Sequence, residues 1–186
     1  MTVFSHCAPD TRRTIVRAGV LADEAGGALL GTEHLLLALA EDGSLAGAEI
    51  SPDTLRTHLP RSRRDDRALL AALGIDLDEV RRRAEASTFR RLDDPSLWSL
   101  RRSRLRPLRV TLTGPAAALV LDAHARKSVE VARWAARRAR RPLVGREDLL
   151  WGLLADGTSP SVRLLRRLDV DLCALWAGLR ARHEAA

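Results

Sequence analysis

Residues 31–43 read GTEHLLLALAEDG, and residues 145–157 read GREDLLWGLLADG. Both stretches open on Gly, carry Glu third, run through leucines and close on Asp-Gly, 114 positions apart. Apolar residues at three- and four-residue intervals between a glycine start and a glycine stop predict a helix in each. Thr32 is expected as an N-cap. Glu33 falls in the first turn, where the helix dipole favours an anion, and Gly43 ends the helix. A second echo pairs LAALGIDL (70–77) with LRRLDVDL (165–172), now at an offset of 95. The repetition predicts two similar four-helix units about a pseudo-two-fold axis.

Working outward, hydrophobic spacing predicts helices over 11–25, 66–73, 76–87, 159–168 and 171–182, with a short one at 52–58. Pro115 fits the first turn of a long helix reaching about residue 140. Two segments break the pattern. Residues 44–64 are rich in Gly, Ser, Pro and Arg and read as an insertion in the first unit. Residues 89–113, with Pro95, Pro107 and the run RRSRLRPLR, read as a basic linker. The expected division is 1–88, 89–113 and 114–186. No convincing period-2 strand appears, RVTLT at 109–113 being the nearest, so the expected class is all-α.

The chain has 186 residues, 46% hydrophobic and 30% charged, enough for one domain or two small ones sharing a core. Net charge is +7, distributed as −3 over 1–88, +5 over 89–113 and +5 over 114–186. Lys127 is the single lysine among 31 basic residues. Cys7 and Cys173 form no CxxC and no ligand cluster. With no secretory leader and no apolar run of membrane length, a reduced cytoplasmic protein is expected.

The GTEHLLLALAEDG stretch, a following leucine-rich helix and L-x-x-L-G-I-D-L together resemble the Clp repeat. This is the duplicated helical N-terminal domain of the Clp AAA+ unfoldases, especially the ClpC type. The resemblance covers roughly residues 4–43, 65–88 and 121–182, and is sharper in the first half. In the second, Arg146 replaces Thr and Asp148 replaces His, while Cys7 and Leu121 stand where the family has phenylalanines. It implies a non-catalytic module that binds substrates, adaptors or degradation tags of the Clp protease system. The roles implied for a free-standing copy are adaptor, decoy or scavenger, including of the cyclic peptide antibiotics that target actinobacterial Clp repeats. It also implies that the paired glutamates, here Glu33 and Glu147, hold the guanidinium of phosphorylated arginine. Thr32 and Arg146 stand beside them. Arg146 either reinforces phosphate capture or pairs with Glu147 and closes the second site.

The residues themselves support no enzyme. Gly26 to Gly31 matches P-loop glycine spacing, but Thr32 stands where Lys is required. No H-E-x-x-H, no G-x-S-x-G and no metal spacing among the five histidines occurs, so no metal or cofactor is expected. His34 reads as a first-turn surface histidine. Read without the resemblance, Glu33 and Glu147 are first-turn residues that stabilise a helix dipole by ~0.3–1 kcal/mol. The basic runs at 61–67, 101–109 and 133–141 read as solvated faces, the alternative being a regulatory protein that binds nucleic acid.

Overall fold

The computed structural model of the chain describes residues 3–45, 50–59, 76, 79, 94–103, 108–115 and 117–185. Its first unit contains α1 (Pro9–Glu24) and α2 (Thr32–Glu41), followed by the short α3 (Pro52–Thr57). The second contains α4 (Ala123–Arg138), α5 (Arg146–Leu154), α6 (Pro160–Arg167) and α7 (Leu172–Ala185). Helices α1 and α4 are each 16 residues long and begin 114 positions apart, the same offset that separates α2 from α5. The helices expected over 66–73 and 76–87 lie outside the described residues, Asp76 and Glu79 excepted. Those two show the second offset at work. The Asp76 carboxylate accepts the Glu79 N–H at 3.3 Å, and Asp171, 95 positions on, accepts the Ala174 N–H at 3.0 Å.

An all-α class needs correction, because a four-stranded sheet is present. Its strands are β1 (Leu29–Leu30), β2 (Ser99–Arg102), β3 (Val110–Thr113) and β4 (Ala118–Leu121), in the order β1-β4-β3-β2. Strands β2, β3 and β4 run antiparallel, while β1 joins β4 in parallel. The long helix expected from Pro115 begins only at Ala123. Before it, Leu119 and Leu121 are buried and Ala118 is exposed, a period of two, and Asp122 then caps α4 through the Ala125 N–H at 2.6 Å. Within 89–113, the described residues 94–103 and 108–113 include β2 and β3. Arginines 101, 102 and 109 face water, but Trp98, Leu100, Val110 and Leu112 are buried. Trp98 lies against Gly19 of α1 and Gly114, so this sheet is seated on the first unit. Burying each such side chain contributes roughly 1.5–3 kcal/mol, a strong reason for a basic stretch to stay folded.

The two units are joined reciprocally. Leu30, just before α2, bridges in parallel to Leu121, just before α4. Val144, just before α5, bridges in parallel to Cys7, just before α1. Each residue maps onto its counterpart at offset 114. The hydrogen bonds map too: Asp122 N–H to Leu30 C=O and Ala8 N–H to Val144 C=O are both 3.0 Å. Each bridge therefore joins the lead-in of one repeat's motif helix to the lead-in of the other repeat's first helix. Cys7 and Leu121 are both buried at these bridges. Burial pushes the Cys7 thiol up to about 11, against the pull of Arg12 and Arg133, so it packs as a small apolar group. Cys173 is exposed, and neither cysteine is in a disulfide.

Candidate functional site

The two motif helices start alike. Gly31, not Thr32, is the extended N-cap of α2, and Gly145 is that of α5. Neither has a side chain to accept the free N–H groups of the first turn, so the third helical residue reaches back instead. His34 Nδ1 accepts the Gly31 N–H at 3.2 Å, and Asp148 Oδ2 accepts the Gly145 N–H at 2.8 Å. The surface reading of His34 is thereby corrected: it is 6% exposed. Burial lowers its pKa against the opposing pull of Glu33, Asp122 and the Gly31 hydrogen bond. A neutral ring accepting through Nδ1 carries its proton on Nε2, a buried atom with no hydrogen-bond partner. Asp148 is fully buried and also receives the guanidinium of Arg141. The replacement of His by Asp therefore keeps the acceptor and changes the charge.

The glutamates differ. The carboxylate of Glu33 folds back over Gly31, where any Cβ would collide with it. Its side chain is 14% exposed, lies 3.9 Å from His34 Nδ1 and receives the Thr32 hydroxyl at 3.5 Å. Among the described residues no Arg or Lys stands within ion-pair distance of it. Glu147 is 39% exposed, and Nε of Arg182, from α7, lies 3.5 Å from its Oε1. The second glutamate thus already faces a guanidinium of its own chain.

Thr32 and Arg146 occupy the same place in the two repeats, and each bonds to a residue of the other repeat. Thr32 is fully buried, and its hydroxyl oxygen accepts the N–H of Ser161 at the start of α6 at 3.2 Å. Arg146 donates to the Asp42 carbonyl at 3.4 Å and lies 3.8 Å from the Asp10 carboxylate and 3.9 Å from that of Asp42. Its guanidinium therefore faces Asp10 and Asp42 of the first repeat. The four residues form no single cluster: Glu33 and Thr32 share one helix start, Glu147 and Arg146 the other.

His34 and Asp148 were the residues the sequence undervalued. The available signal was their shared third position after a glycine that cannot cap. Among the described residues no group of three metal-ligating side chains occurs, and no helix is long and apolar enough to cross a membrane.

No protein-family model matches the chain, and no curated protein matches it in sequence. Solved structures do. The N-terminal domain of the caseinolytic protease associated chaperone ClpD from Arabidopsis thaliana matches with a TM-score of 0.56 and 17% identity, over 96% of this chain and 98% of that one. A structure from work on a malarial protein secretion system matches with a TM-score of 0.54 and 17% identity, over 96% and 95% of the respective chains. Both alignments run nearly end to end. The chain has the fold of a Clp N-terminal domain.

Proposed function

We propose that the chain is a non-catalytic binding module of the Clp protease system, and that Glu33 is its acceptor for a guanidinium of the phosphoarginine type. The ligand would be a tagged substrate or an adaptor, met as an adaptor, decoy or scavenger, with cyclic peptide antibiotics as a narrower case. The observation that carries this reading is the Glu33 carboxylate, largely withdrawn from water yet facing no cation of the described chain. A carboxylate in that position has lost hydration without gaining a cationic partner, and a guanidinium fork restores both charge balance and hydrogen bonds. Unpaired N–H groups of the first turn of α2 lie beside it and favour the attached phosphate. Thr32 sets the position of Glu33, and Arg146 holds the two units together.

Calorimetry with arginine phosphate, arginine and phosphoserine tests this. Arginine phosphate should bind most tightly, and Glu33→Ala should weaken it by about 1–3 kcal/mol, the range for losing a hydrogen bond to a charged group. Arg146→Thr, which copies the first repeat, should leave affinity unchanged. Equal binding of all three ligands, or indifference to Glu33, removes phosphoarginine from the reading.

A further inference from the structure

A second concave surface lies away from both motif helices. It is a cleft of about 440 Å³ between α4, the sheet and the N-terminal 3-10 turn (Val3–His6). Its apolar lining is aliphatic: Val3, Val110, Leu121 and Val129. Trp134 forms a wall and is 55% exposed, one of four large apolar side chains left in water among the described residues. The rim carries four guanidinium groups, those of Arg102, Arg126, Arg133 and Arg137, against the single carboxylate of Glu130.

These charges are not equally available. Arg102 is paired with Glu130, and Arg133 Nη2 lies 3.4 Å from His6 Nε2. Arg126 and Arg137 make no ion pair among the described residues. On α4 they stand eleven residues apart, three helical turns, with Val129, Glu130 and Arg133 between them on the same stripe. At ~1.5 Å per residue the two unpaired guanidiniums lie roughly 16 Å apart along the helix, the reach of about five extended residues.

From this we infer that the cleft is a binding site for an acidic peptide segment, with carboxylates about four residues apart seated on Arg126 and Arg137 and an apolar side chain between them against Trp134. Charge complementarity selects the acid, and the aliphatic floor selects the apolar residue. A nucleic acid strand fits less well, because successive bases need aromatic platforms and the cleft offers one ring beside a carboxylate. The site is separate from Glu33 and does not depend on the reading given to it.

The probe is an acetylated, amidated pentapeptide Asp-Val-Leu-Val-Asp, with its Asn-Val-Leu-Val-Asn counterpart and a single-stranded oligonucleotide, each titrated into the whole chain. The acidic peptide should bind, and the Asn version about tenfold more weakly, with binding falling as salt rises. The Arg126→Gln/Arg137→Gln pair, half-buried and exposed respectively, should weaken it about tenfold, with the circular dichroism spectrum unchanged. Trp134→Ala should weaken both peptides alike, and Glu33→Ala neither. Absence of peptide binding at about 1 mM, equal binding of the Asp and Asn peptides, or indifference to the paired Arg variant overturns the proposal. Tighter binding of the oligonucleotide at the same salt would assign the face to nucleic acid and overturn it as well.

Discussion

Helices α2 and α5 begin with the same glycine and the same glutamate, yet they are held in opposite ways. In the first repeat a neutral imidazole caps the helix and Glu33 has no cationic neighbour among the described residues. In the second a carboxylate caps it, Arg141 neutralises that carboxylate, and Arg182 faces Glu147. The helix ends differ likewise. Asp42 accepts the Thr14 hydroxyl and faces Arg146 from the other unit, whereas Asp156 is satisfied within its own repeat by Thr158, His124 and Lys127, which hold its carboxyl far below the usual range. The backbone geometry is the same at both starts while the charges differ: one start stays short of positive charge, and the other supplies its own.

The largest expected effect comes from the second repeat's packing. Gly152 matches Ala38 of the first repeat at offset 114, but a Cβ there would be driven into the Ser128 carbonyl of α4. Gly152→Ala should cost about 3 kcal/mol through overpacking, and Ala38→Gly about 1 kcal/mol through helix propensity. Denaturant melts of the two variants would break the comparison if the costs were equal.

The caps come next. Asp148→Ala removes the acceptor and also leaves the guanidinium of Arg141, only 23% exposed, without that partner, so a loss of about 2–4 kcal/mol is expected. His34→Ala removes one neutral acceptor and should cost about 1 kcal/mol. A ranking in the reverse order would show that Arg141 contributes nothing through Asp148.

Smaller again is a pH effect confined to the first repeat. The folded pKa of His34 is lowered from the ordinary 6.5, so the unfolded chain takes up its proton first as pH falls. The contribution of neutral His34 is therefore complete above about 6.5 and is lost as pH drops below that value. His34→Asn keeps an uncharged acceptor and should flatten the melting temperature between about pH 7.5 and 5.5. An unchanged slope in that variant would place the titration elsewhere.

Much of this was legible in the sequence. The two motif helices, the short helix near Pro52 and the starts of α6 and α7 follow from apolar spacing, and in the structure Ser159 and Asp171 accept first-turn N–H groups of the last two. The sheet was not, for a physical reason. Its strands are two to four residues long, and four residues cannot separate a period of 2 from one of 3.6. In β2 the signal is hidden further, because Leu100 is buried beside exposed Arg101 and Arg102, and a basic run reads as solvent. The place of the two glutamates in the first turns of α2 and α5 was legible, but their difference was not. What separates Glu33 from Glu147 is Arg182, 35 residues further along the chain, and no local pattern connects them.

That difference is also where the account is tested most directly. The Glu147–Arg182 pair is half exposed and should contribute less than about 1 kcal/mol to folding, so Arg182→Ala leaves the protein intact. The decisive measurement is the stoichiometry of arginine phosphate binding by calorimetry in the wild type, Arg182→Ala and Glu33→Ala. The account predicts one site in the wild type, weakened by about 1–3 kcal/mol in Glu33→Ala, and two in Arg182→Ala, the second weakened likewise by adding Glu147→Ala. Two equal sites in the wild type, or a single site of unchanged affinity in Glu33→Ala, would contradict it.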